Sequence, residues 1–275
     1  MSNMNFYSYY TLPREVKKQI ENVLSIFTES LNGSLIGIYL HGSAVLNCFI
    51  EDKSDIDILI VSHRRLIADE RLELARKMLE IHKKPSPIEL SVIFTEHLKP
   101  CKHPTPCQFH FSDYWEVEYK RMIEVGDFTH WILNKDFEDT DIACHVKLIK
   151  QSGICLLGRP IDEIFPDVPE TDFWNSISCD IDDFDFSNYG SSYFTSNILT
   201  LCRIWSYKVK EKIISKYEAG LWAESRVPQQ VKYIVINATA SRYCNEKQIE
   251  YNVADLELLK SYIINEIGIS NSDLT

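Results

Sequence analysis

A chain of 275 residues, 45% hydrophobic and 25% charged, has the makeup of a soluble globular protein with room for two cores. The formal net charge of −11, from 29 basic against 40 acidic side chains, argues against a nucleic-acid backbone as partner and suits a cationic small molecule. No apolar run reaches the roughly 18 to 20 residues of a membrane span, and Met1-Ser2-Asn3-Met4-Asn5 is no secretory signal. Cys48, Cys144, Cys155 and Cys202 lie in apolar contexts and read as reduced core thiols of a cytoplasmic protein, which is separately expected to be a monomer without membrane contacts.

Residues 13–31 repeat Val16, Ile20, Val23, Leu24 and Phe27 at the spacing of an amphipathic helix. A strand over 34–40 follows, then a turn at Gly42-Ser43, a short helix over 44–48 and a second strand over 55–61. Within a strand, residues two apart share a face. Asp55 and Asp57 therefore converge, while Ile56, Ile58 and Ile60 point the other way. Two convergent carboxylates are ligands of the kind Mg²⁺ takes, leaving its other positions to water and substrate phosphates. The Gly42-Ser43 turn offers backbone N–H groups and a hydroxyl to phosphate oxygens. Together these residues read as a metal-dependent nucleotide site.

Residues 69–81 are periodic as a helix, 83–87 form a loop, and 87–94 form a third strand with Glu89, Ser91 and Ile93 on one face. An acidic residue at the head of an apolar strand goes against propensity, which makes Glu89 the candidate third carboxylate. In such a triad Asp55, Asp57 and Glu89 hold two Mg²⁺ ions, and Glu89 takes the proton from an attacking hydroxyl. A loop over 97–106 leads into an aromatic tract over 109–119. Within it Cys101, His103, Cys107 and His110 are zinc-ligand types, but no Cys-x₂-Cys pair is present and prolines interrupt the run, so it reads as a loop with incidental thiols.

Residues 141–152 read as a helix and 154–157 as a short strand, and the proline-punctuated run 158–169 marks a linker. The boundary near Val168 predicts one domain over 1–167 and a second over 168–275. Beyond it the pattern is helical over 173–179, 195–212, 218–226, 230–242 and 253–267. A cleft between an α/β domain and a helical one is the natural ligand site.

The strand, Gly-Ser turn and Ser54-Asp55-Ile56-Asp57 strand resemble the signature of the nucleotidyltransferase fold related to DNA polymerase β, with His41 in place of the signature's first glycine. From about Ile36 to Tyr243 the chain resembles the bacterial aminoglycoside adenylyltransferases that modify streptomycin and spectinomycin. The likeness is carried by Leu157-Gly158 with Ile164-Phe165-Pro166-Asp167-Val168-Pro169, by the helix Ile198-Leu199-Thr200-Leu201-Cys202-Arg203-Ile204-Trp205, and by Ser215-Lys216 through Trp222-Ala223.

The resemblance implies an α+β fold. A polymerase β-like nucleotidyltransferase domain, a mixed sheet with flanking helices, precedes an all-α helical bundle that closes the cleft for ATP and acceptor. It further implies that Ser43, Ser54, Asp55 and Asp57 contact the ATP phosphates and Mg²⁺, that Glu89 is the base, and that Arg203, Lys216 and Tyr243 reach the nucleotide from the helical domain. Where relatives carry Phe-Gly-Glu-Trp, with a tryptophan that stacks on the drug, this chain has Phe111-Ser112-Asp113-Tyr114-Trp115, so Trp115 aligns after a one-residue shift. The relatives' acidic residue ten positions before the matched arginine is Tyr193 here, and Asp182 and Asp185 are its candidate replacements for a cationic drug. The implied activity is transfer of AMP from Mg-ATP to a hydroxyl of an aminoglycoside-type antibiotic, spectinomycin or streptomycin, giving resistance. Its alternatives are a lincosamide or protein-hydroxyl acceptor, and a nucleotide-binding regulatory module without catalysis.

Overall fold

The computed structural model describes residues 6–51, 53–182, 184, 191–244 and 249–268. Helices and strands alternate through its first part: α1 (Arg14–Ser30), β1 (Leu35–Leu40), α2 (Gly42–Val45), β2 (Ile56–Ser62), α3 (Ala68–Ile81), β3 (Ile88–Phe94), β4 (Thr105–Phe111), α4 (Asp113–Val125), α5 (Trp131–Asn134), β5 (Phe137–Asp139), α6 (Ile142–Ser152), β6 (Ile154–Gly158) and α7 (Ile161–Ile164). The chain then becomes helical: α8 (Glu170–Asp182), α9 (Ser191–Lys210), α10 (Lys216–Glu224), α11 (Lys232–Tyr243) and α12 (Val253–Ile267). The fold is α+β, with a mixed sheet, flanking helices and a helical C-terminal region. None of the described helices is long and apolar enough to cross a membrane.

The chain divides into two compact units, one of residues Tyr7–Ser176 and one built from Ile177 onward with Phe6, the division falling inside α8. In the first unit the sheet order is β5-β4-β3-β2-β1-β6. β2 and β3 run parallel; every other neighbouring pair is antiparallel. Even-numbered residues of the central strands, among them Ile38, Leu40, Ile58, Ile60, Leu90 and Val92, join Phe109 and Phe111 in one apolar cluster with α1, α3 and α4. α1 contributes Val16, Ile20, Val23 and Phe27 at helical spacing, and α3 contributes Leu74, Ala75 and Met78. Burying one whole sheet face this way commits the odd-numbered residues to the opposite face, and β-strand alternation leaves no third choice.

The structure differs from the sequence expectation in three places. The helix expected over 44–48 is a single turn that begins at Gly42 itself. The segment read as a loop running into an aromatic tract holds β4 and most of α4, and β5 follows at Phe137–Asp139. The linker over 158–169 contains the one-turn α7, whose first turn carries Asp162 and Glu163.

The second unit is organised on α9, against which α10, α11 and α12 pack. Ile198, Leu201, Cys202 and Trp205 of α9 are buried, as are Ala219 and Ala223 of α10 and Ile234, Val235 and Ala238 of α11. Gly220 permits the close approach: a Cβ there would lie 2.3 Å from Thr239 Oγ1 and 2.9 Å from Leu199 Cδ2. α10 starts with a capping box, in which Ser215 Oγ accepts from the Glu218 N–H (3.1 Å) and Glu218 accepts from the Ser215 N–H (3.0 Å).

Candidate active site

Parallel pairing of β2 with β3 puts Ile56 opposite Ile88 and Asp57 opposite Glu89. Neighbouring strands lie about 4.8 Å apart, so Asp57 and Glu89 stand side by side on the face turned away from the main core. Both are half-buried, while Asp55, just ahead of β2, is exposed. Asp55 and Glu89 line one cavity of about 140 Å³ together with Ser112, Asp113 and Tyr114. Among the described residues the register thus brings together the carboxylates on which the sequence argument rests.

Gly42 fixes the third side of this arrangement. Its φ of +68° is a backbone conformation suited to glycine, and a Cβ there would fall 1.7 Å from Asp57 Oδ2. Only hydrogen fits between the start of α2 and the Asp57 carboxylate, and the His41 N–H donates to the Asp57 carbonyl at 3.0 Å. Ser43 Oγ is buried and has no hydrogen-bond partner among the described residues. A buried hydroxyl left over next to a carboxylate pair is a costly feature unless a ligand completes it. The donor set therefore fits a magnesium-bound phosphate: oxygen ligands only, with a spare hydroxyl beside them.

His41, which stands where the nucleotidyltransferase signature has glycine, is tolerated because it turns into the protein. It is buried, and its ring lies 4.6 Å from that of His145 on α6. Burial and the neighbouring His145 hold it well below the usual histidine range, so it packs as a neutral ring. Ser54 is also buried; its Oγ accepts from the Ile50 N–H at 2.9 Å and closes the loop that presents Asp55.

Two aromatic residues in the first turn of α4 have different surroundings. Trp115 is half-buried in an aromatic cluster, 5.9 Å from Trp131 and 6.5 Å from Phe137. Its neighbour Tyr114 is 69% exposed and lines the cavity with Asp55 and Glu89. Helical geometry accounts for the difference: α4 begins at Asp113, and successive residues on a helix point about 100° apart. Of the Cys101–His110 segment, Cys101 and His103 lie ahead of β4 and Cys107 and His110 lie within it. The Cys107 thiol is buried and donates to the Phe109 carbonyl (3.2 Å), and burial raises its pKa well above the usual thiol range. His110 pairs with Ser91 of β3 and meets Ser91 Oγ at 2.8 Å; the register shift between Val92 and Ile93 sets Cys107, opposite Ile93, on that same face.

In the helical unit, Arg203 is half-buried on α9. Ser196 lies seven residues earlier, two turns and about 10 Å along the same helix face. Lys216 Nζ donates to that Ser196 Oγ at 2.7 Å, so both cations serve one side of α9. Tyr243 is buried, with its ring 5.0 Å from Tyr217 and 5.7 Å from Phe6. Asp185 lies outside the described residues, as does the side chain of Asp182 at the end of α8.

Comparison with known proteins adds to this geometry. A nucleotidyltransferase domain family matches residues 20–113, the segment that contains Gly42, Asp55, Asp57 and Glu89. The family "aminoglycoside adenylyltransferase, C-terminal domain" matches residues 163–266. The chain is thus similar to aminoglycoside adenylyltransferases in both its parts. It is 26% identical over 250 residues to a spectinomycin 9-adenylyltransferase of Campylobacter jejuni, covering 89% of this chain and 92% of that one. An aminoglycoside (3'') (9) adenylyltransferase of Shigella flexneri is 25% identical over 259 residues, covering 92% and 95%. Among solved structures, a spectinomycin adenyltransferase from Enterococcus faecialis with ATP and spectinomycin shares the fold, with a TM-score of 0.76 at 24% identity over 92% of this chain and 99% of that one. With its nucleotidyltransferase domain, the protein is a nucleotidyltransferase enzyme.

Proposed function

We propose that this adenylyltransferase moves AMP from ATP to a hydroxyl of spectinomycin, and thereby inactivates the drug. The observation that carries the reading is the matched register of Asp57 and Glu89 beside Gly42, with Asp55 on the same cavity as Glu89. Spectinomycin is the first acceptor to test because relatives in Campylobacter jejuni and Enterococcus faecalis bear its name and a protein of the same fold binds it with ATP. Streptomycin is the second. The net charge of −11 suits either cationic drug.

In this mechanism Glu89 removes the proton of the acceptor hydroxyl, whose oxygen forms a bond to the α-phosphorus of ATP. The bond from that phosphorus to the bridging oxygen breaks, and pyrophosphate departs with the electron pair. Asp55, Asp57 and Glu89 would hold Mg²⁺, which when bound neutralises phosphate charge and stabilises the attacking and leaving oxygens. Ser43 donates its spare hydroxyl to a phosphate oxygen. Ser54 acts by holding the loop ahead of Asp55. Arg203 and Lys216 bind the nucleotide's negative charge, which grows on the departing pyrophosphate, and Tyr243 packs against the nucleotide. Tyr114 takes the place assigned to Trp115 as the aromatic face for the acceptor, because it is the residue at the cavity. We take residues 1–167 as the catalytic domain and 168–275 as the helical domain.

The test is to incubate the purified protein with Mg-ATP and, separately, spectinomycin, streptomycin and a lincosamide. The reading expects one adenylyl group on spectinomycin by mass spectrometry, dependent on added Mg²⁺. Modification of the lincosamide alone would overturn the acceptor and keep the reaction.

A further inference from the structure

The cavity that holds Glu89 has a second carboxylate, and a buried histidine fixes its position. Asp113 lies at the start of α4 with its side chain 62% exposed, and it lines the cavity with Glu89 and Asp55. His82, at the end of α3, has its side chain only 1% exposed. Its Nδ1 accepts the Ile88 N–H at 3.0 Å, and its Nε2 lies 2.9 Å from Asp113 Oδ1.

These two bonds determine the tautomer. A nitrogen that accepts an N–H carries no proton, so the ring's proton sits on Nε2 and is donated to Asp113. One ring therefore ties together the residue just before Glu89 and a second carboxylate of the same cavity. The ring also packs edge-on against Phe111, with centroids 5.0 Å apart, which fixes its plane. The loop behind it is pinned from α1: Gln19 Nε2 donates to the Ile81 and Ser86 carbonyls at 2.8 and 2.7 Å, and its Oε1 accepts the Ser86 N–H at 3.1 Å.

Lys83 distinguishes Asp113 from its neighbour Glu116. The ammonium is 2.8 Å from Glu116 and 3.2 Å from Asp113 Oδ1, and Lys120 lies 2.7 Å from the other Glu116 oxygen. The bonds from Lys120 and Lys83 draw the Glu116 carboxyl down to about 2, so Glu116 is consumed in ion pairing. His82, Asp113 and Glu116 place possible metal ligands within 4.8 Å of one another, but the Lys83 ammonium already occupies that position. The hydrogen bond and ion pair of Asp113 both go to Oδ1, and Oδ2 makes no hydrogen bond to any described residue.

We propose that Asp113 is the acceptor-binding carboxylate, taking an ammonium of the drug next to the hydroxyl that reacts, and that His82 is its positioning residue. The assignment rests on the adenylyltransferase reading above. It adds a subsite in the same cavity as the base, so that one loop sets the distance between the deprotonated hydroxyl and the charge that anchors it.

The experiment is spectinomycin kinetics at saturating Mg-ATP, paired with calorimetric binding of spectinomycin to the ATP-loaded protein. Asp113→Asn, at an exposed position, is expected to fold and to weaken spectinomycin binding about ten-fold or more, raising its KM while the KM for ATP stays within about two-fold. His82→Asn, which can still accept from Ile88 but cannot reach Asp113, is expected to follow the same pattern. His82→Gln, whose amide can still donate to Asp113, is expected to recover most of the lost affinity. Equal spectinomycin binding by wild type and Asp113→Asn would overturn the subsite, as would parallel losses for ATP and drug. Tight binding by wild type, weak binding by Asp113→Asn and no adenylyl product would support the subsite and overturn the functional reading instead.

Discussion

The sheet unit and the helical unit present candidate chemistry by different geometric means. On the sheet, strand register does the placing: Asp57 faces Glu89 because β2 and β3 are parallel and in step, and a shift of one residue would turn either carboxylate into the core. On α9, placing follows the helical period, so Ser196 and Arg203 share a face two turns apart and Lys216 joins it by a hydrogen bond from a second helix. A sheet site is therefore intolerant of small backbone changes. A helix site can lose one cation and keep the rest. All eight histidines lie between His41 and His145, within the sheet unit.

The most damaging change to this contrast is expected at Asp57. Asp57→Asn keeps the shape and removes one metal-binding charge, and turnover should fall by at least about 10²-fold, read as product formed per minute at saturating ATP. Activity within a few-fold of wild type would show that β2 register does not set the chemistry. Gly42→Ala should be comparably severe, because its Cβ would sit 1.7 Å from Asp57 Oδ2. Its circular dichroism should stay folded while activity is lost, and a fully active Gly42→Ala would contradict the close approach of α2 to Asp57.

Removing one cation from the helical unit should cost less. Arg203→Ala is expected to raise the KM for ATP roughly ten- to a hundred-fold, in keeping with the loss of one charged hydrogen bond. An unchanged KM for ATP, with a raised KM for the drug, would move Arg203 from the nucleotide to the acceptor. Gly220→Ala sharpens the contrast from the side of stability. The added Cβ meets Thr239 and Leu199, and overpacking of this kind costs about 1 to 3 kcal/mol, visible as a lower Tm.

The smallest effect expected is on the pH dependence of stability. Burial and nearby His145 bring His110 down to about 4, and burial with Lys102 and Arg65 lowers His97. Their folded pKa values lie below the ordinary value near 6.5, so the unfolded chain takes up protons first. Their contribution to stability is complete above about pH 6.5 and is lost as pH falls towards about 4. Hydrogen exchange followed by mass spectrometry should show the sheet unit loosening over that window while α9 to α12 remain protected. Equal loosening of both units would assign the effect elsewhere.

Much of this was legible in the sequence because the relevant signals were local. Alternation gave β1, β2 and β3, helical spacing gave α1, α3, α6 and α9 to α12, and Asp57 with Glu89 headed their strands as expected. β4 and β5 escaped because Pro104 and Pro106 are strand breakers by propensity. In the fold Pro106 pairs with Glu138 of the three-residue edge strand β5, a short ladder where a missing N–H costs little. That Tyr114 lines the cavity beside Trp115 is not readable from the sequence, because the start of α4, which sets the two side chains about 100° apart, has no strong local mark. His82 was hidden for a different reason. Its partners are Ile88 and Asp113, the second 31 residues away, and nothing in a Lys-Lys-Pro loop reveals contacts of that range.

The most direct test of the account is Glu89→Gln, studied by single-turnover chemistry and by calorimetric binding of Mg-ATP. The account predicts that ATP still binds within a few-fold of wild type, while the rate of adenylyl transfer to spectinomycin falls about 10²- to 10⁴-fold. Full transfer by Glu89→Gln would contradict the assignment of the base, and with it the claim that the paired register of β2 and β3 builds the active site.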